Sequence, residues 1–243
     1  MFKKFHKYYL KQRFFPNFFS IFINPFYLTR FALLKELKKI APSISGNLLD
    51  FGCGSKPYSE LFVNVSEYIG VDLQNDAHDH TNEDVDIYYD GKILPFEDES
   101  FQNLLSSEVF EHVPNINDSI NEIHRVLKPN GKLLVTTPFS FPEHEMPFDF
   151  RRLSHNGLIQ LLEENGFKVE YIKRYGNFNS VIGQLIAMGI HDCVYTKNKY
   201  INLFLNMIFI SPIVIFTSIL SFIFHKNRSL YFGTIALAIK MQD

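Results

Sequence analysis

From Asn47 onward, short apolar runs alternate with stretches in which apolar residues recur at helical spacing. The runs NLLDFG (47–52), YIGVD (68–72), QNLLSS (102–107) and KLLVTT (132–137) predict buried parallel strands. Between the last two, DSINEIHRVLKPNG places Ile120, Ile123, Val126 and Leu127 on one helical face, with Asp118 as N-cap and Pro129 and Gly131 as the stop. SHNGLIQLLEENG (154–166) predicts a further helix, capped by Ser154 and closed by Gly166, and FKVEYIKRY (167–175) predicts a strand after it. Strands alternating with helices of this length imply an α/β, Rossmann-like doubly wound sheet. The ligand of such a sheet belongs at the carboxyl ends of its strands, near the point where strand order reverses.

Two tracts fall outside this alternation. Tyr200 to Phe224 runs for 25 residues without a formal charge, interrupted by Asn202, Asn206, Ser211, Pro212, Thr217, Ser218 and Ser221, and is followed by His225, Lys226 and Arg228. Its length meets the ~20 residues that a transmembrane helix needs. The other tract, residues 1–40, holds nine of the 24 Lys/Arg against a single acid, Glu36. It therefore carries +8 and leaves −10 for the other 203 residues. Twelve Phe and Tyr lie among these basic residues up to Phe31, a composition suited to anionic head groups and the acyl boundary. Pro16 and Pro25 break the segment, and no small-residue cleavage site follows an apolar run, so a signal peptide is not expected. A solvated basic helix packed on the core is the plainer reading of the same residues.

Composition narrows the class. A chain of 243 residues that is 46% hydrophobic and 21% charged, with a net charge of −2, is neither disordered nor a histone-like nucleic-acid binder. The charge of −10 beyond residue 40 further discourages DNA or RNA as partner. Two cysteines, Cys53 and Cys193, form no disulfide framework and fit a reducing, cytoplasmic setting.

The candidate chemistry begins where the first strand enters DFGCGSKPY (50–58). Gly52 and Gly54 allow a tight turn and close approach of a ligand, Asp50 stands two residues ahead, and Asp72 ends the next strand at the distance where an acid meets ribose hydroxyls. Pro57 occupies the third glycine position of a dinucleotide loop, and no phosphate-binding G-x-x-x-x-G-K-S/T sequence occurs. A nucleoside without a phosphate chain fits best. LLDFGCGSKPY, YIGVDL, LPFEDESFQNLLSSEVFEHV and EIHRVLKPNGKLLVTTPF, taken in order, resemble the successive motifs of class I S-adenosylmethionine-dependent methyltransferases of the type-11 group, over roughly residues 30–175.

That resemblance implies S-adenosylmethionine as cofactor and a seven-stranded, mostly parallel sheet with an antiparallel last strand, LYFGTIALAIK (230–240). The implied organisation is a basic aromatic helical segment (1–40), a cofactor-binding core (41–175), a hydrophobic helical insertion (176–229) and the last strand (230–243). It also implies that Gly52 and Gly54 lie beside the methionine part of the cofactor, with Asp50 orienting the loop. Asp72 meets the ribose, Asp90 meets the adenine amino group with Leu73 and Ile93 beside the base, and Ser107 and Glu108 face the methyl group. Asp90-Gly91 also reads as a plain turn. Because strands precede and follow Tyr200–Phe224, both its ends must return to one side of any membrane. Three arrangements remain: a re-entrant or in-plane helical hairpin bending near Pro212, a buried insertion, or a dimer surface. The first agrees with the basic N-terminal segment and predicts an enzyme on the inner face of a membrane.

The acceptor belongs at the loop after the fifth strand, 137–158. Its spacing H-x-x-P-x-D-F-R, at His144, Pro147, Asp149, Phe150 and Arg151, is similar to methyltransferases of polysaccharide and cell-surface glycan synthesis. His144 is the expected general base or acceptor-orienting group, with Arg151 paired to Asp149; His112 is the alternative base. No metal is expected, since His78, Asp79 and His80 sit in a charged run with no completing cluster. The expected activity is methyl transfer to an oxygen of a glycan or lipid-linked sugar. Its rivals are methylation of a lipid-soluble quinone precursor and a non-catalytic, cofactor-binding membrane scaffold. The oligomeric state is open.

Overall fold

The computed structural model describes residues 2–73 and 84–242, so His78, Asp79 and His80 lie outside the described residues. Seven strands make one sheet: β1 (Gly46–Phe51), β2 (Val65–Leu73), β3 (Ile87–Tyr89), β4 (Phe101–Ser107), β5 (Leu127–Pro138), β6 (Phe167–Tyr175) and β7 (Gly233–Lys240). Their order is β3-β2-β1-β4-β5-β7-β6. The β1–β2, β1–β4, β2–β3 and β4–β5 pairs are parallel, and β7 runs antiparallel to β5. This is the α/β doubly wound architecture expected from the sequence. Strand order reverses between β1 and β4, which places the switch point beside the glycine loop.

Helix α3 (Ile116–Val126) presents Ile120, Ile123 and Val126 to the core. These side chains meet Leu49, Phe51, Leu104, Leu133 and Val135 of the strands and Leu158 and Leu162 of α4 (His155–Glu164), all in one buried cluster. Each such side chain contributes about 1.5–3 kcal/mol when fully removed from water. Ser154 caps α4 as expected, its hydroxyl accepting from Gly157 N. The start and stop of α3 differ from expectation. The cap position is Asn115, Asp118 lies in the first turn, and β5 begins at Leu127, so Pro129 and Gly131 fall inside a strand. An acid is favourable anywhere in the first turn, which is why Asp118 resembled a cap.

The chain divides into two compact units, Met1–Leu37 with Tyr175–Phe232, and Lys38–Arg174 with Gly233–Asp243. The second holds the sheet and the clusters just described. The first contains α1 (Phe2–Phe14), a 3-10 turn at Phe18–Phe22, the beginning of α2 (Tyr27–Ile40), and α5 (Phe178–Val194). It also contains a long helix built from α6 (Lys199–Leu205), a π-helical turn (Asn206–Ile210) and α7 (Ser211–Ile223).

The hydrophobic tract therefore does not fold back on itself near Pro212. Pro212 sits in the first turn of α7, where a missing N–H is tolerated, and the preceding π turn absorbs the irregularity. The hairpin forms instead between this helix and α5. Asn177 Nδ2 donates to Ser221 O (3.1 Å), Asn179 Nδ2 to Leu220 O (3.4 Å), and Gly183 lies against Thr217, a register that descends as the other rises. At the base, Phe232 N donates to Tyr175 O (2.9 Å), which closes the excursion.

Candidate active site

The loop after β1 is held by β2. Gly52 N and Cys53 N both donate to Val71 O (2.9 and 3.2 Å), and Gly54 N donates to Asp72 Oδ2 (2.7 Å). Gly52 has φ 71°, and a Cβ there would stand 2.5 Å from Val109 Cγ2. Gly54 has φ 49°, yet a Cβ would meet nothing within 4 Å, so its outer side opens to space. Asp72 Oδ1 accepts from Leu73 N (2.7 Å). Asp50 is buried and accepts from Tyr68 OH (2.6 Å). Burial pushes its carboxyl up to about 7, against the opposing Tyr68 hydrogen bond. Lys56 is paired with Asp86 (2.6 Å), and Gly70 N donates to the same Asp86 oxygen (2.6 Å). Asp50 and Asp72 beside this engaged lysine favour a cationic nucleoside over a phosphate-bearing one. The open space beside Gly54, on a loop held by Asp72, thus fits the cofactor implied by the sequence motifs.

Asp90 follows β3 and is exposed; its Oδ1 accepts from Lys92 N (2.9 Å), and these backbone donors hold its carboxyl below the usual range. Leu73 lies against Gly91, whereas Ile93 is 68% exposed. At the end of β4, Ser107 Oγ lies 3.1 Å from Thr136 Oγ1 of β5. Glu108 follows at φ 58° with its N donating to Thr136 O (3.0 Å). A left-handed glutamate at a strand end is strain placed where a ligand is expected.

The loop after β5 folds over the turn at 110–114. Phe150 N donates to Glu111 O (2.8 Å), and His112 Nδ1 lies 2.8 Å from Phe148 O. His112 Nε2 lies 3.2 Å from His144 Nε2. Burial, and then His112, hold the His144 imidazole below its ordinary pKa. Asp149, with a side chain 1% exposed, accepts from His144 N (2.9 Å) and from both Arg152 NH1 and Arg152 NH2. Arg152 holds the Asp149 carboxyl down to about 2.

The expected Arg151–Asp149 pair is corrected here. Arg151 donates instead to the carbonyls of Phe110 (2.8 Å), Val113 and Pro114 (2.8 Å), so it anchors the facing turn while its neighbour takes the carboxylate. A planar fork with five N–H donors suits a turn whose carbonyls converge. Sequence reasoning also passed over Glu111, which is 2% exposed and beside His112 (3.7 Å between Oε1 and Nε2). Burial, with Glu108 nearby, raises its carboxyl pKa well above the usual range. An acid in a run such as EVFEHVP was the available signal, but only the closing loop reveals the cluster.

Residues 49–135 match a family model described as a methyltransferase domain. A Mycolicibacterium smegmatis protein named as a probable S-adenosylmethionine-dependent methyltransferase is 33% identical over 136 residues, 51% of this chain and 52% of that protein. The ubiquinone/menaquinone biosynthesis C-methyltransferase of Shewanella sediminis is 28% identical over 112 residues, 43% of this chain and 44% of that one. The chain spans about half the length of the curated relatives it matches first. The solved S-adenosylmethionine-dependent methyltransferase of Mesorhizobium loti aligns with a TM-score of 0.53 at 14% identity, covering 88% of this chain and all of that one, a likeness of fold.

Proposed function

We propose that the chain is a class I S-adenosylmethionine-dependent methyltransferase, a reading supported by its match to a methyltransferase-domain model and by its relatives, and that it methylates an oxygen of a glycan or lipid-linked sugar at a membrane surface. The observation that carries the reaction class is the β1–β2 edge, where Gly54 opens to space and donates to Asp72 while Asp50 lies buried behind. S-adenosylmethionine bound there would supply a methyl group already activated on a sulfonium. Gly52 and Gly54 leave room for its chain, Asp72 receives the ribose hydroxyls, and Asp90 with Leu73 and Ile93 borders the base. Ser107 and Glu108 face the transfer point. The 137–158 loop brings the acceptor, and His144 orients its hydroxyl or takes the proton, a requirement set by a hydroxyl pKa far above neutrality. Asp149 fixes His144, and Arg151 positions the turn beneath it.

The membrane setting is supported by how the helical hairpin distributes its side chains. Gly183 of α5 packs against Thr217 of α7, and the buried faces of the two helices mix small residues with Val181, Met188 and Val214, whereas Phe204, Phe209, Phe216, Ile219 and Phe222 are exposed. A close contact at a small residue with large apolar side chains turned outward is an arrangement suited to helices that meet lipid. Among the described residues, Tyr200–Ile223 is long and apolar enough to cross a membrane, with 28% of its most apolar window buried. Charges at both ends of the hairpin, Asp192 and Lys197 at one and Lys226 and Arg228 at the other, favour a pair lying in the interface plane.

Formation of S-adenosylhomocysteine from S-adenosylmethionine, assayed with separated envelope glycan, lipid-linked sugar and quinone-precursor fractions, tests the reading. Turnover confined to the sugar fractions and abolished in Gly52→Arg is expected. Turnover only with the quinone precursor moves the acceptor class. S-adenosylhomocysteine binding without turnover on any fraction supports the scaffold instead.

A further inference from the structure

We propose that Glu111, His112, His144 and Glu145 form a binding site for a divalent transition-metal cation at the acceptor edge of the sheet. The argument starts with the outer ring nitrogens. His112 Nδ1 lies 2.8 Å from the carbonyl oxygen of Phe148, which can only accept, so Nδ1 carries the hydrogen. His144 Nδ1 likewise faces Pro142 O (3.2 Å) and Asp149 Oδ2 (3.3 Å). In both neutral rings the lone pair then belongs to Nε2, and the two Nε2 atoms face each other at 3.2 Å. Two lone pairs at that distance repel unless a positive charge lies between or beside them.

The distances suit a metal ion. Two imidazole nitrogens bound tetrahedrally at about 2.0–2.1 Å stand about 3.3 Å apart. Glu111 Oε1 and Glu145 Oε2 each lie 3.7 Å from His112 Nε2, within a small side-chain adjustment of the same spacing. Glu111, His112 and His144 together offer ligand atoms that all lie within 4.8 Å of one another.

Glu111 supplies an independent reason. It is 2% exposed, and neither carboxylate oxygen makes a hydrogen bond to another of the described residues. A carboxyl buried in this way is ionised only at a cost of several kcal/mol, and a cation beside it offsets that cost directly. The outer shell is also in place. Asp149, locked by Arg152, meets His144 Nδ1, and a backbone carbonyl meets His112 Nδ1, the supports that ligating histidines ordinarily have. A proton shared between the rings is the competing way to relieve them, and titration with the metal separates the two. Two imidazoles with carboxylates select Zn2+, Fe2+ or Mn2+ over Mg2+ and Ca2+, which prefer all-oxygen shells.

This inference deepens the proposed function. Its catalytic consequence rests on the methyl-transfer reading: a cation here lowers the pKa of a hydroxyl bound to it, its proton leaving to water, and makes His144 a ligand rather than a base. Its binding consequence does not rest on that reading, so calorimetric titration of the metal-stripped full chain with Zn2+ alone tests it without cofactor or acceptor. One-to-one binding is expected in the wild type and in His78→Ala/His80→Ala. It is lost in His112→Ala and in His144→Ala, and falls ~10-fold or more in the isosteric Glu111→Gln and in the outer-shell Asp149→Asn. Thermal melts by circular dichroism confirm that each variant is folded, and Co2+ visible absorption, present in the wild type and absent in His112→Ala, reads the same site. Zn2+ binding that survives the His112→Ala/His144→Ala double variant, is lost with His78 and His80, or is no tighter than Mg2+ binding overturns the assignment.

Discussion

Asp50 and Asp149 are both carboxylates with little access to water, and their surroundings drive them in opposite directions. Asp50 lies in an apolar wall with one hydroxyl partner, so burial raises it from 3.8 to about 7. The folded state then holds a proton that the unfolded state releases, and the associated stability is full below about pH 4 and lost as pH rises through 7. Asp50→Asn keeps an acceptor for Tyr68 and removes the ionisation. It is expected to raise the melting temperature of the cofactor-free protein at about pH 8 and to leave it unchanged near pH 4. Melts across that range decide it, and a uniform gain at every pH would contradict the assignment to Asp50. Asp149 has the opposite sign. With its pKa lowered from 3.8 to about 2 by Arg152, it contributes about 2 kcal/mol that is present above pH 4 and disappears as pH falls through 2. Asp149→Asn is expected to lose at least that much at neutral pH and to show a shallower acid limb in the same melts.

At the scale of elements, the loop after β5 is held through Arg151, whose guanidinium takes three carbonyls of the turn at 110–114. Arg151→Ala leaves those acceptors without it and is expected to cost about 2–3 kcal/mol in denaturant melts. Arg151→Lys should recover little, because an ammonium lacks the planar fork. A lysine variant as stable as the wild type would mean that charge alone holds the turn. Adjacent arginines explain why the sequence misassigned this partner: whether 151 or 152 faces Asp149 depends on the path of the loop, which no local pattern specifies. His112 and His144 each stood out in the sequence as candidate bases, but their meeting with one another and with Glu111 was illegible for the same reason, since the two histidines are 32 residues apart and meet only when the loop closes. By contrast, β1, β2, β4 and β5 were legible because strands with buried interiors read as continuous apolar runs. β3 has three residues with Tyr88 44% exposed, too short and too wet to leave such a run. The hydrophobic tract misled differently: hydropathy counts its residues but cannot show that its partner is α5 rather than its own second half. That pairing is itself testable, because a Cβ on Gly183 would stand 2.2 Å from Thr217 Oγ1. Gly183→Val is expected to force α5 and α7 apart, costing about 1–3 kcal/mol in thermal melts. Full stability in that variant would contradict the close approach.

For the whole molecule, the proposed membrane setting rests on two terms that would act on its distribution between water and a bilayer, and they can be separated. The apolar term comes from the exposed side of Tyr200–Ile223, where Phe209, Phe216 and Phe222 are 47%, 61% and 84% exposed. If each regains about 1 kcal/mol on leaving water, replacing all three with Ser lowers partition on the order of 100-fold. The electrostatic term comes from residues 1–40, with a charge of +8, and is worth about 1 kcal/mol for each basic side chain that reaches an anionic surface. Salt screens the second term and leaves the first nearly untouched. Flotation of the full chain should therefore favour anionic over neutral vesicles at low salt, and the preference should shrink as salt is raised. The triple Ser variant should bind both vesicle types less well, while keeping its preference for anionic ones. A chain that remains dispersed without detergent and fails to float with anionic vesicles would contradict a membrane setting and leave the exposed face to a second copy of the chain. The two results are distinguishable by mass, because a face covered by a second copy gives a dimer in solution whose population falls in the same triple variant.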